Sequence, residues 1–144
     1  MSSAPRYWRE IPYRYRLEAS LCERCGSKFY PPRIICPNCK SREMKRIRLP
    51  KRGTLVSYSV VYFPPKGFEL QTPYVVGLVE IDGVKVVGQI TDVLPSELKI
   101  GMELEACFRK VRVNGKSGII QYGIKFRKPE KRDADESYVP IGVR

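Results

Sequence analysis

The sequence predicts a mainly β protein in three parts: an N-terminal helical arm, a small cysteine-rich ribbon and a five-stranded barrel. Three observations carry this. Four of the five cysteines form two Cys-x-x-Cys pairs, Cys22/Cys25 and Cys36/Cys39, with ten residues between them. From Thr54 onward the chain falls into five stretches rich in β-branched and aromatic residues, each bounded by Gly, Pro, Asp or Asn. The 144 residues are 42% hydrophobic, enough to pack a core and room for one ordinary domain or two small ones. The expected units are an arm at 1–20, a ribbon at 21–50, a barrel at 51–128 and a tail at 129–144.

In the arm, Tyr7, Trp8, Ile11 and Tyr15 lie on one face of a helical pattern, with arginines elsewhere and a break or restart expected at Pro12. A surface helix with such a stripe docks on its own domain, here through Trp8 and Tyr15; the alternative is an arm that covers a ligand or meets a partner.

The ribbon follows from the cysteines. Each Cys-x-x-Cys pair makes a tight turn, so two pairs bring four thiolates to one tetrahedral ion. Gly26 supplies the positive φ that closes the first turn, and Pro37 pre-sets the second. The short gap suits a rubredoxin-like zinc ribbon. Two disulfides are the competing reading. They would not persist in the reducing, cytoplasmic setting expected for a chain whose start, MSSAPRYWRE, lacks an apolar export signal. Zinc is the expected ion, with iron possible on the same four thiolates. Four cysteines leave no open position, so the metal is structural. Between the pairs, Phe29 to Ile35 should be extended, because Pro31 and Pro32 exclude helix, and a basic stretch from Lys40 to Lys51 should connect ribbon to barrel.

The expected strands are Thr54–Phe63, Tyr74–Asp82, Val84–Val93, Glu103–Val113 and Ile119–Phe126. Asp82-Gly83 makes a tight hairpin, Asn114-Gly115-Lys116 opens another, and Pro64-Pro65-Lys66-Gly67 starts a longer loop. Five strands with a long first connection fit an OB-fold barrel, with other small barrels as alternatives. Cys107, in the fourth strand, reads as a small buried hydrophobe.

The formal charge is +12 and is unevenly spread. Residues 1–50 carry 12 Lys and Arg against 4 Asp and Glu, and residues 107–144 carry 10 against 4, whereas residues 51–106 carry 5 against 7. A basic flank of this kind steers phosphorylated ligands or acidic partners. Single-stranded nucleic acid is the alternative partner. Its OB-fold binders stack bases on aromatics along strands two and three, where Tyr74 is the sole aromatic here. Those two strands are apolar on both faces and call for cover, by the arm or by another protein. The chain has no histidine, which excludes Ser-His-Asp and Cys-His catalysis and His-based zinc sites. No uncharged apolar run approaches a bilayer span.

Taken in order, Tyr7-Trp8, CERCGSKFYPPRIICPNC, RGTLVSYSVVYFPP, PYVVGLVEIDGVKVVGQITDV and ELKIGMELEACF closely resemble the archaeal and bacterial family that joins a rubredoxin-like zinc ribbon to an acyl-CoA-associated OB-fold. The resemblance spans roughly residues 7–128. It implies Cys22, Cys25, Cys36 and Cys39 as metal ligands and no catalytic centre of the chain's own. It further implies a partner of the thiolase type. One archaeal branch resembles the subunit that holds acetoacetyl-CoA thiolase and hydroxymethylglutaryl-CoA (HMG-CoA) synthase together in the mevalonate route; other relatives partner steroid side-chain aldolases and hydratases. The tail after Phe126 departs from the pattern. If CoA or acyl-CoA binds, arginine clamps its phosphates and aromatics stack on its adenine. Arg33, Lys51 and Arg52 are candidates for the phosphates, and Trp8, Tyr30 and Phe63 for adenine or pantetheine, each with a plainer reading as surface charge or packing aromatic.

Overall fold

The structure is a computed structural model and describes residues 4–130; the tail from 131 onward lies outside the described residues. The chain forms helix α1 (Ala4–Arg16), then β1 (Glu18–Cys22), β2 (Lys28–Phe29) and β3 (Met44–Arg48). β4 (Arg52–Val61), β5 (Tyr74–Ile81), β6 (Val84–Ile90), β7 (Glu103–Val113) and β8 (Ile120–Arg127) follow. The first three strands make an antiparallel ribbon in the order β2-β1-β3; the last five close a barrel in the order β4-β5-β6-β8-β7. Every barrel pairing is antiparallel except the β6–β8 seam, which is parallel. This is the closed Greek-key barrel of the OB-fold.

The strands form where β-branched residues alternate. On β5, Val75, Val79 and Ile81 are buried and point inward, as do Val84, Val86 and Ile90 on β6. They meet Leu55, Leu104 and Phe126 from the other strands. A five-stranded barrel is narrow, and small residues make the space. A Cβ on Gly88 would lie 2.7 Å from the ring of the fully buried Phe126. Asp82 and Gly83, at φ 50° and 78°, form the expected hairpin, whose turn requires positive φ at both positions.

The same core runs into the ribbon. Leu17, Ala19 and Leu49 are buried with the barrel residues, and Tyr30 and Ile47 pack against them. Lys28 reaches from β2 to Asp82 at the β5–β6 turn, 2.6 Å away.

Five expectations need correction. α1 runs unbroken through Pro12. Pro12 has no N–H to offer the Trp8 carbonyl, but the helix is held from outside. The Tyr7 hydroxyl donates to the Tyr122 carbonyl at 2.5 Å, and Tyr15 stands edge-on to Phe108 with centroids 4.9 Å apart. Tyr15 docks as expected, but its companion is the buried Tyr7 and not Trp8, which is 76% exposed. Next, the basic stretch from Lys40 to Lys51 is not a mere connector: Met44–Arg48 is β3, paired along the whole of β1. Its Met44 and Ile47 are half-buried while the basic residues between them face solvent. Residues 30–35 bend back over the ribbon rather than extending, and the Arg33 N–H donates to the buried Ser20 hydroxyl at 3.0 Å. Finally, α1 leaves part of the outer face of β5 and β6 uncovered. It lies mainly against β8 and β1, and Val87 on β6 remains 67% exposed.

Candidate metal centre

The cysteine turns are built twice over the same plan. In the first, the Gly26 N–H donates to the Cys22 carbonyl (2.9 Å) and the Cys22 N–H to the Ser27 carbonyl (2.9 Å). In the second, the Lys40 N–H donates to the Cys36 carbonyl (3.0 Å) and the Cys36 N–H to the Ser41 carbonyl (2.9 Å). Gly26 and Lys40 hold the matching left-handed position at φ 72° and 60°. The repeated unit is Cys-x-x-Cys-x-Ser. Gly26 was legible as a turn residue. Lys40, Ser27 and Ser41 were not, although the repeat of serine five residues after each leading cysteine was a signal that could have found them.

These turns face each other. Cys22 Sγ and Cys39 Sγ are 3.5 Å apart, as are Cys25 Sγ and Cys36 Sγ, and all four sulfurs lie within 4.8 Å of one another. Four thiolates bound at about 2.3 Å to a common tetrahedral centre sit about 3.8 Å apart. The observed spacings bracket that value, so the donor set suits zinc. Cys22 and Cys36 are buried; Cys25 is exposed at the knuckle tip. Ser27 approaches Cys25 Sγ at 3.3 Å, and its hydroxyl and then its amide bring that thiol down to about 6. With four sulfurs in place a tetrahedral ion has no vacant position for substrate. The site is a structural zinc centre of the rubredoxin-like type, and among the described residues no other cluster of potential metal ligands converges in this way.

The six residues considered for CoA are not brought together. Arg33 lines a concavity on the ribbon with Arg42 and Arg46, and Lys51 lines another where Leu17 and Leu49 meet Phe108. Tyr30 lines a third, its hydroxyl donating to the Tyr13 carbonyl at 3.2 Å. Burial pushes the Tyr30 phenol up to about 12. Arg52 reaches only Glu103, at 3.8 Å. Trp8 and Phe63 (95% exposed) line none of the three. Cys107 is buried on β7 and burial raises its thiol, so it is no ready nucleophile. Tyr74, the one aromatic of β5 and β6, packs against Phe68 at 5.9 Å, and no row of aromatic platforms crosses those strands.

Similarity to known proteins agrees with this anatomy. Residues 9–45 match the family described as the ChsH2 rubredoxin-like zinc ribbon domain, and residues 47–109 match the ChsH2 C-terminal OB-fold domain. A DUF35 domain-containing scaffold protein of Methanocaldococcus jannaschii is 43% identical over 124 residues, covering 85% of this chain and 88% of that protein.

The chain belongs to the DUF35 scaffold-protein family.

Another relative, the benzoylsuccinyl-CoA thiolase subunit BbsA of Thauera aromatica, is 28% identical over 113 residues, 78% of this chain and 76% of that one. Among solved structures, a chain of the Ltp2-ChsH2(DUF35) aldolase superposes with a TM-score of 0.65 at 27% identity, covering 89% of this chain and 96% of that one. The helix, ribbon and barrel therefore recur as a unit in this family.

Proposed function

We propose that this protein is a non-catalytic, zinc-stabilised accessory subunit that docks on an acyl-CoA enzyme of the thiolase type. The observation that carries this reading is the 43% identity to a scaffold protein over 85% of the chain. The site chemistry supports it. The metal is enclosed by four sulfurs, histidine is absent from the sequence, and Cys107 is a protonated, buried thiol. A relative 28% identical over 113 residues is named a thiolase subunit, and a chain of similar fold belongs to the Ltp2-ChsH2(DUF35) aldolase.

The finer reading is a bridge between acetoacetyl-CoA thiolase and HMG-CoA synthase, working in the cytoplasm. A bridging subunit needs separate surfaces. The uncovered part of the outer face of β5 and β6, with Val87, is one; the ribbon tip, with Ile34 84% exposed among Arg33, Arg42 and Arg46, is another. CoA would then be held across the boundary with the enzyme, its phosphates against ribbon arginines such as Arg33, since the six candidates share none of the three concavities described above. No helix among the described residues is long and apolar enough to cross a membrane.

Affinity purification of the tagged chain from its own cells, with mass spectrometry of what co-purifies, tests the reading. Thiolase and HMG-CoA synthase should be recovered together in fixed ratio. Recovery of the chain with no acyl-CoA enzyme overturns it. Recovery of a thiolase alone overturns the bridge and keeps the accessory role.

A further inference from the structure

A cavity of about 230 Å³ sits where arm, ribbon and barrel meet, and of the residues in the proposed docking surfaces Val87 alone lines it. It exists because the barrel seam opens. β6 and β8 share one register pair, Ile90 with Phe126, secured by the Thr91 N–H donating to the Phe126 carbonyl at 2.8 Å. Before that point the strands part, and Val87 and Gly88 face Gly123 and Ile124 across the gap, roofed by Tyr13 and Tyr30.

Lys125 also lines this cavity and is only 8% exposed. Its ammonium has three donors, yet among the described residues it makes one long bond, 3.3 Å to the Gln71 amide oxygen, which the Gln89 amide also engages at 3.2 Å. Among the described residues no carboxylate lies within ion-pair distance of it. Burying an unpaired cation is costly, and burial accordingly depresses this ammonium below the ordinary lysine range. The other cation at the cavity, Arg14, is already paired with Glu10 at 2.6 Å. Among the described residues the cavity therefore presents one cation without an ion-pair partner, beside Tyr13, Tyr30, Gln89 and aliphatic side chains.

We infer that this cavity is a binding site for a small aliphatic monocarboxylate, whose carboxylate pairs with Lys125 and whose chain lies between Tyr30 and the β6–β8 seam. A phosphate dianion fits less well, because Lys125 offers a single charge and Arg14 is held by Glu10. The volume is below that of pockets for drug-sized ligands, which limits the occupant to a short chain.

Calorimetric titration of the full chain with hexanoate tests this, with hexanol, hexylammonium and inorganic phosphate as comparators. Hexanoate should bind and the three comparators should bind at least about tenfold more weakly, the scale of one charge-assisted contact. Lys125→Met should weaken hexanoate by a similar factor. Equal affinity in that variant, or equal affinity for hexanol or phosphate, overturns the inference. Should the variant fail to fold, the Lys125 side-chain NMR signal of the wild-type chain decides. It must move on adding hexanoate, and a saturating addition that leaves it in place overturns the site.

Discussion

Gly26 and Lys40 occupy equivalent places in the two knuckles, but only one is glycine. At Gly26 an added Cβ meets nothing within 4 Å, so any cost there comes from the left-handed backbone alone. Gly26→Ala should then cost about 1–2 kcal/mol, and Lys40→Gly should gain up to about 1 kcal/mol. Thermal melts of the zinc-loaded protein measure both, and a neutral Gly26→Ala would show that the knuckle tolerates another geometry. Cys36→Ser acts differently, by removing one of four donors from a buried centre. It should abolish stoichiometric zinc in elemental analysis and collapse the ribbon's protection from proteolysis. The tyrosines supply a pH signature. Tyr7 is pushed up from 10.0 to about 12 by burial and by its contact with Tyr15, and Tyr30 reaches about 12 by burial. A raised folded-state value means the folded form holds the proton longer than the unfolded one. Their stabilisation is therefore complete below about pH 10 and is lost as pH climbs towards 12. Tyr7→Phe should flatten that alkaline decline in melts followed by tyrosinate absorbance.

At the scale of elements, α1 is a helix kept by its docking rather than by its own propensity. It spans 13 residues with a proline inside, too short and too interrupted to persist alone in water. Pro12→Ala restores a donor for the Trp8 carbonyl and should raise the melting temperature. The gain is roughly 2 kcal/mol after allowing for the added freedom of the unfolded chain. A drop in stability would mean that the half-buried Pro12 ring packs as a necessary contact. In the barrel, Gly88→Ala drives a methyl into Phe126 and should cost about 1–3 kcal/mol, read as a lower denaturation midpoint. The strands were legible from sequence to within about three residues, since their cause is local: inward β-branched residues alternate and Gly, Pro or Asp ends each run. β6 stops at Ile90 rather than Val93 because Asp92 takes positive φ. β3 was missed because its pattern, Met-Lys-Arg-Ile-Arg, is mostly charge. What makes it a strand is β1, more than twenty residues away along the chain.

For the whole molecule, ribbon and barrel share one core through Leu17, Ala19, Leu49 and Tyr30, yet the four metal-binding cysteines all lie in the ribbon. Chelation should therefore melt residues around the four cysteines first and leave β4–β8 folded. Hydrogen exchange would show two separable steps, whereas simultaneous loss of all protection would mean that the shared core couples them fully.

The spacing of four cysteines, the want of histidine and the alternation in five strands already determined a closed metal centre, a β-barrel and a chain without His-based catalysis. Each is a property of neighbours along the chain, where bond geometry limits the outcomes. The tertiary structure alone decided that Tyr7 rather than Trp8 anchors the arm, through a carbonyl 115 positions away, and that Lys125 is shut into a cavity at an open seam. Those facts depend on which strands meet and at what register. That choice is made by the packing of the entire core, and no local pattern encodes it.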